Sequence, residues 1–428
     1  MTRVVVLGAG LTGLSAALHL RRRGIEPLVL EREDIVGGAC RTLERDGFAF
    51  DLTGHLLHLG QEEGRRLVAE LGLAPRLRRH TRRAGVALAG TVTPYPIQIN
   101  TFKLPPTIRR ECLLGLLAAR EHPEAPETGP FADWALSRFG DGLCRHFFFP
   151  YNQKLFCADA RDFTAAWVGR FVPRPRLEDV VDGALGLFRR PVGYNATFLY
   201  PRRGGIRLLA DTLARHVPGL RPGCPVRRVH LGERTLELAS GEALQWDVLV
   251  ATAALPQLCE LTDDLPAEAR AAASRLRAVA VLNLNLGVEG RPPRREHWLY
   301  VPEPRYPFYR VGIPSNHGVL APPGCHTLSV EVSVPAGTPC PRRLWERCLD
   351  GLEELGLLRP ERVVARVEAR VDPGYVVFDE ALAPAVAALR AAYAAAGVRL
   401  AGRWAEWKYS SMEDALLDGA AAAAEVAA

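Results

Sequence analysis

Gly8-Ala9-Gly10-Leu11-Thr12-Gly13, followed by a carboxylate at Glu31, has the residue types and order to hold the pyrophosphate and ribose of a dinucleotide. Gly8 permits a tight turn, Gly10 lets backbone approach the pyrophosphate, and Gly13 lets the next helix pack closely on the sheet. Leu11 and Thr12 open that helix, whose unpaired N–H groups and positive dipole end suit phosphate. Glu31 is placed to accept ribose hydroxyl hydrogen bonds. A second glycine pair, Gly37-Gly38, permits close backbone approach to a bulky ligand, and Arg41 after it could neutralise a phosphate. Taken alone, the pair is also an ordinary glycine turn.

These residues need a strand, a helix and a second strand to position them. Val4 to Leu7, the apolar helical run after Leu11, and Leu28 to Leu30 supply that order. Asp46-Gly47-Phe48 signals a hairpin, and Glu62 to Leu73 has helical spacing. From Leu104 to about Phe188 the pattern is helical and punctuated by prolines. Strands are expected at Thr197–Tyr200, in Val226–Leu238, at Val248–Thr252, Val279–Val288, His297–Tyr300 and Thr327–Val334. Helices are expected near Ile206–His216, Ala267–Ala278, Arg342–Leu357 and Ala381–Ala396. A short strand from Val398 meets Gly402, a helix starts near Met412, and an alanine-rich tail follows. The fold expected is α/β: a discontinuous Rossmann-like cofactor domain over 1–92, 196–262 and 397–428. A mainly helical insertion (93–195) and an antiparallel sheet-rich insertion (263–396) would interrupt it.

At 428 residues, two or three domains are expected. The formal charge of +6 rests almost wholly on arginine, with lysine at 103, 154 and 408 alone. The densest basic stretch, Arg76 to Arg83, lacks interleaved aromatics for stacking bases, so it is read as a solvated loop and no nucleic-acid partner is expected. Nine cysteines with no C-x-x-C spacing fit reduced thiols and no metal site. No leader is expected ahead of the first strand, and no apolar run nears the roughly 18 residues of a membrane span. A soluble, cytoplasmic protein is expected, with a homo-oligomer left open.

With Glu31 and Gly37-Gly38, the block Phe50-Asp51-Leu52-Thr53-Gly54-His55 resembles the flavin amine oxidase and sugar-nucleotide mutase superfamily, which implies FAD. A narrower resemblance, to the eukaryotic-type branch of the UDP-galactopyranose mutases, runs in family order along most of the chain. It is carried by Pro94-Tyr95-Pro96-Ile97-Gln98, Pro150-Tyr151-Asn152-Gln153-Lys154-Leu155-Phe156, Trp167-Val168-Gly169, and Asn195-Ala196-Thr197-Phe198 leading to Arg203-Gly204-Gly205. Trp298-Leu299-Tyr300, Pro307-Phe308-Tyr309-Arg310, Asp372-Pro373-Gly374-Tyr375 and Gly402-Arg403-Trp404-Ala405-Glu406-Trp407-Lys408-Tyr409 complete it.

The resemblance implies that Tyr95, Gln98, Asn152 and Phe156 line a nucleotide pocket, and that Tyr300, Arg310, Tyr375 and Tyr409 grip a diphosphate. It implies that Asn195 contacts the sugar, that His55 lies beside the flavin, and that Arg403 contacts FAD. Arg32, Gly38, Gly54, Val226 and Gly402 join the cofactor set. His55, Arg310 and Asn195 form the implied catalytic group, with no metal. Each has a plainer reading: Tyr300, Tyr309 and Tyr375 as sheet aromatics, His55 as a structural histidine, Gln98 and Asn152 as loop braces. The implied activity is pyranose-to-furanose ring contraction of a nucleotide-diphosphate hexose. Reduced FAD is the active form, its N5 the nucleophile, and NAD(P)H a candidate external reductant. The chain departs from the pattern at Phe171, where the family has a second diphosphate arginine; Arg170 and Arg174 are the nearby substitutes. The rival reading is an FAD-dependent oxidoreductase of the amine oxidase or protoporphyrinogen oxidase type. A non-catalytic flavin-binding or assembly protein is the third.

Overall fold

The computed structural model describes residues 2–188, 190, 192–193 and 196–427, with the backbone alone at residue 170. Val4–Leu7, buried at every position, is the middle strand of a five-stranded parallel sheet. Val248–Ala251 and then Val398–Leu400 lie on one side of it; Leu28–Leu30 and Leu220–Arg221 lie on the other. A strand covered on both faces reads as an unbroken apolar run, which is why Val4-Val5-Val6-Leu7 lacks alternation.

The helix Leu11–Arg21 packs on this sheet, and Gly13 sets how closely. A Cβ there would stand 1.9 Å from the Gly8 carbonyl oxygen. The alanine-rich end is not a loose tail but the last turns of a helix, Met412–Ala427. It crosses the first helix at Gly419, where a Cβ would come within 2.3 Å of the Thr12 carbonyl oxygen. Leu416, Ala422 and Ala423 are buried in the same core. Covered by sheet on one side and helix on the other, the first helix buries Leu11 through Leu18 and Leu20.

A second sheet of seven strands runs in the order Val363–Val376, Ala278–Glu289, Cys325–Pro335, Arg310–Gly312, Trp298–Tyr300, Ala84–Leu88, Thr91–Pro94. All its pairs are antiparallel except Trp298–Tyr300 with Ala84–Leu88. It therefore draws two strands from before residue 95, upstream of the segment expected to form it. The 14-residue strand Val363–Val376 has no counterpart in the sequence reading. It is an edge strand whose charged residues alternate outward, and its Pro373 is tolerable where no neighbour requires its missing donor.

The helices Pro106–Ala119, Phe131–Leu143, Phe149–Phe156 and Leu177–Ala184 form the helical part, around a core containing Phe131, Trp134, Phe139, Phe148, Phe156 and Phe163. The last of these helices ends four residues before the expected Phe188. Arg76 to Arg83 is not a loop: Leu77–Thr81 is a strand paired antiparallel with Thr197–Pro201. No helix among the described residues is long and apolar enough to cross a membrane.

Candidate active site

One cavity of about 830 Å³ runs from the glycine turn to a cluster of tyrosines, with walls from the parallel sheet, the seven-stranded sheet and the helical part. Its outer half is a cradle of backbone. A Cβ on Gly10 would meet nothing closer than the Gly38 Cα at 4.0 Å, so the space over this turn is kept open for a ligand. By contrast Gly8 and Gly402 are packing glycines: each has positive φ, and a Cβ would press against Thr252 and Thr12 respectively.

Glu31, buried beside this turn, accepts the Ala9 N–H (2.8 Å) on one carboxylate oxygen and the Glu33 N–H (3.0 Å) on the other. It fixes the loop while keeping lone pairs for a sugar hydroxyl. Arg41 is on the wall, and its buried Nε has no hydrogen-bond partner in the protein. Arg32 is exposed, paired with Glu33 at 3.2 Å, and Val226 lies on the wall. An open backbone cradle at a helix N-terminus, a ribose-facing acid and an orphaned guanidinium N–H fit an FAD pyrophosphate and ribose.

The inner half is aromatic and cationic. Tyr95 and Tyr300 have ring centroids 4.7 Å apart, Tyr151 meets Tyr300 at 5.4 Å, and Tyr375 stacks on Tyr409 at 6.1 Å. Tyr309 stands behind them, 6.5 Å from Tyr375. Arg403 lies 5.2 Å from the Tyr375 centroid and 5.0 Å from that of Tyr409. Its guanidinium donates to the Gly374 and Ser410 carbonyls at 3.0 and 3.1 Å, and its Nε has no partner. Burial raises the Tyr95, Tyr300 and Tyr409 hydroxyls above their ordinary range, so they stay protonated and can donate.

Arg310 sits at the centre, and its environment was not foreseen. Its Nη2 lies 2.8 and 2.6 Å from the two carboxylate oxygens of Glu331, its cross-strand neighbour. Glu331 is 1% exposed and also accepts the Gly54 N–H (3.0 Å) and the Tyr309 hydroxyl (2.6 Å). Burial acts most strongly and by itself would lower the Arg310 pKa; Glu331, together with Tyr375, Tyr309 and Tyr151, outweighs it and holds the guanidinium well above its usual value. The sequence signal was available: Glu331 is a lone acid in the apolar strand Leu328–Val334. Asn283, buried on the adjacent strand, accepts the Thr53 N–H at 3.1 Å, so the Thr53-Gly54 turn is anchored twice to the sheet.

His55 lies on the cavity wall. Its Nδ1 is 2.8 Å from the Leu52 carbonyl, which can only accept, so Nδ1 carries the proton and Nε2 a lone pair. Burial, with Arg403 and Arg310 nearby, lowers its pKa to about 4, leaving the ring neutral at pH 7.

Some expected residues are elsewhere. Phe156 is in the helical core against Phe163 and Trp167, not on the cavity wall. Gln98 is buried and donates to the Pro173 carbonyl at 2.9 Å, off the wall also. Phe156 is held there as a core residue by the rings around it, and Gln98 as a brace by its bond to the Pro173 carbonyl. Asn152 reaches the wall while its amide donates to the Phe148 carbonyl one turn back. Asn195 lies outside the described residues. Phe171 packs edge-on to Tyr409 at 4.5 Å. Arg174 does not replace the second arginine, since it pairs with Glu124 and Glu127 on the outside; the Arg170 side chain lies outside what is described.

A flavoprotein with its cofactor cradle on the parallel sheet and an aromatic chamber against the seven-stranded sheet is the class that fold and cavity define. The chain belongs to the flavin containing amine oxidoreductase family, whose model matches residues 11–427. FAD is its cofactor. Among solved structures, reduced UDP-galactopyranose mutase superposes with a TM-score of 0.93 at 26% identity, over 100% of this chain and 95% of that one. A putative protoporphyrinogen oxidase from Exiguobacterium sp. 255-15 shares the fold at TM-score 0.78 and 18% identity, over 100% and 98%. Among curated proteins, 4,4'-diapolycopene oxygenase of Methylomonas sp is 47% identical over 55 residues, 13% of this chain and 11% of its own length. Phytoene dehydrogenase of Streptomyces griseus is 56% identical over 48 residues, 11% and 10%. The chain thus matches about a tenth of the length of these curated relatives.

Proposed function

We propose that this chain is a flavin-dependent sugar-nucleotide mutase that contracts the pyranose ring of a nucleotide-diphosphate hexose to a furanose. The observation that carries the reading is the chamber of Tyr95, Tyr151, Tyr300, Tyr375 and Tyr409 around Arg310 and Arg403, beside the cofactor cradle. Likeness to reduced UDP-galactopyranose mutase over the whole chain supports it. When bound and reduced, FAD supplies the electron pair that displaces the diphosphate, so no protein nucleophile is required.

The chain's own residues bind, orient and exclude water. Arg310 is held by Glu331 in one rotamer, leaving its remaining N–H groups for phosphoryl oxygens. The protonated tyrosine hydroxyls add donors where negative charge develops on the departing diphosphate. Neutral His55 holds a lone pair at Nε2 for a sugar or cofactor hydroxyl. The reaction exchanges one C–O bond at the anomeric carbon for another and needs no net oxidant.

One observation favours a second reading, an FAD-dependent oxidoreductase. Phe171 packs on Tyr409 where a second arginine was expected, so the chamber, with Arg310 facing a carboxylate, carries less positive charge than one with two arginines. Titration of the FAD-loaded protein with UDP, followed by the flavin absorbance, separates the two. The mutase reading expects saturable binding that Arg310→Ala weakens at least tenfold. If UDP, GDP and dTDP all fail to bind below about 1 mM (roughly −4 kcal/mol), the sugar-nucleotide reading is lost.

A further inference from the structure

Behind the cavity just described lies a second pocket of about 760 Å³, lined by Arg78, Arg79, Arg83, Arg202 and Arg203 together with His80, His297 and His317. His297 and His317 line both cavities. The strand Leu77–Thr81 and the turn after Thr197–Pro201 bring the arginines together, and no acid lines the pocket among the described residues. Arg78, Arg79 and Arg203 are exposed, and their side chains make no hydrogen bond or ion pair with the described residues. Clustered guanidiniums without counter-charges repel one another, which a structural role does not explain.

The histidines sharpen this. The Arg83 backbone N–H donates to His297 Nδ1 at 3.2 Å, so the proton of this buried, neutral ring is on Nε2. Burial, with Arg83 and His80 nearby, lowers the His297 pKa to about 3, consistent with that neutral form. Yet Nε2 is 3.4 Å from the Arg83 Nη2, which can also only donate. Two donors face each other, and an acceptor oxygen reaching both would satisfy them. His80 Nε2 and His317 Nδ1 are buried without partners as well. Guanidinium forks match tetrahedral oxyanions bidentately. The Phe198 ring is buried and stacked by His80 at 5.2 Å, so it is not open to a base.

We propose that this pocket binds a small anion carrying at least two phosphoryl groups, recognised through its phosphate oxygens by the five arginines and the His297–Arg83 donor pair. This proposal does not depend on the sugar-nucleotide reading of the first cavity. Inorganic pyrophosphate and the phosphate chain of a nucleotide share the chemistry.

Isothermal titration calorimetry on the FAD-loaded protein tests it, with pyrophosphate, ATP and orthophosphate as probes at low ionic strength. Pyrophosphate should bind, orthophosphate more weakly, and the affinity should fall with added salt. ATP binding like pyrophosphate would assign the site to phosphate alone; ATP binding at least tenfold more tightly would assign it to a nucleotide. The double variant Arg79→Ala/Arg203→Ala should weaken binding at least tenfold, while Arg310→Ala, in the first cavity, should leave it intact. Binding lost in Arg310→Ala but kept in the double variant would overturn the proposal, as would no binding of pyrophosphate or ATP.

Discussion

Replacing Arg310 by Met tests whether the Arg310–Glu331 pair is as buried and as coupled as its geometry implies. Removing the guanidinium strands a carboxylate that is 1% exposed and keeps only the Gly54 N–H and the Tyr309 hydroxyl as donors. Breaking a buried pair from one side costs about 3–5 kcal/mol, because the remaining charge loses its partner without regaining water. Against a total stability of about 5–15 kcal/mol, this is a large fraction. At roughly 2–4 °C per kcal/mol for a sizeable domain, the melting temperature of the FAD-loaded variant should fall by at least about 6 °C. Adding Glu331→Gln removes the stranded charge, leaves an amide oxygen to accept from the Gly54 N–H, and sets an amide N–H2 to donate to the Tyr309 hydroxyl oxygen. The double variant should therefore recover at least half the lost stability. Turnover should stay lost in both, since the double variant restores packing and not the guanidinium. A single variant melting within 1 °C of wild type, or a double variant no more stable than the single, would refute the reasoning.

Four further expectations can be checked together. Gly10→Val should leave the chain folded by circular dichroism but abolish bound flavin absorbance, because the nearest atom to its Cβ is 4.0 Å away and the cofactor space is what it fills. Gly13→Ala, with a Cβ 1.9 Å from Gly8, should prevent folding altogether. His55 and His297 have folded-state pKa values lowered to about 4 and about 3, below the ordinary 6.5. The unfolded chain then binds protons that the native one does not, so stability should fall as pH drops from about 6.5 towards 4. Urea unfolding at several pH values should show a shallower fall in His55→Gln and His297→Gln; an unchanged slope in both would contradict the assignment. Phe171→Arg, which offers a second guanidinium beside Tyr409, should tighten UDP binding about 10- to 100-fold, the worth of one charge-assisted contact. Unchanged or weaker UDP binding would place the diphosphate elsewhere.

The cofactor half of the molecule was legible because its rules are local. Gly8, Gly10 and Gly13 each answer to one backbone demand, and Val4 to Leu7 could only be a strand buried on both faces. The alanine-rich end was misread as a tail because only the facing helix reveals why Gly419 and Ala423 must be small. The strand Val363–Val376 escaped notice because an edge position excuses its charges and Pro373, and edge position is set by topology, not by local pattern. In the chamber, the tyrosines and Arg310 were found through resemblance, but Glu331 was not. Its importance comes from the register that sets it opposite Arg310 on the next strand, which no pattern within either strand reveals. Phe156 and Gln98 were placed on the cavity by the same resemblance; ring packing holds Phe156 in the helical core, and the bond to the Pro173 carbonyl turns the Gln98 amide away from the wall. The basic run from Arg76 to Arg83 looked like solvated loop because strand pairing with Thr197–Pro201, which gathers its charges with Arg202 and Arg203, is a long-range event.

The most direct test of the central claim is product analysis by NMR. The FAD-loaded protein would be reduced with dithionite and incubated without oxygen with UDP-, GDP- and dTDP-hexoses. The account predicts a furanose product from at least one of them, formed over many turnovers with no net consumption of reductant. Absence of any furanose, together with substrate-dependent oxygen uptake by the oxidised protein, would contradict it and leave the oxidoreductase reading in its place.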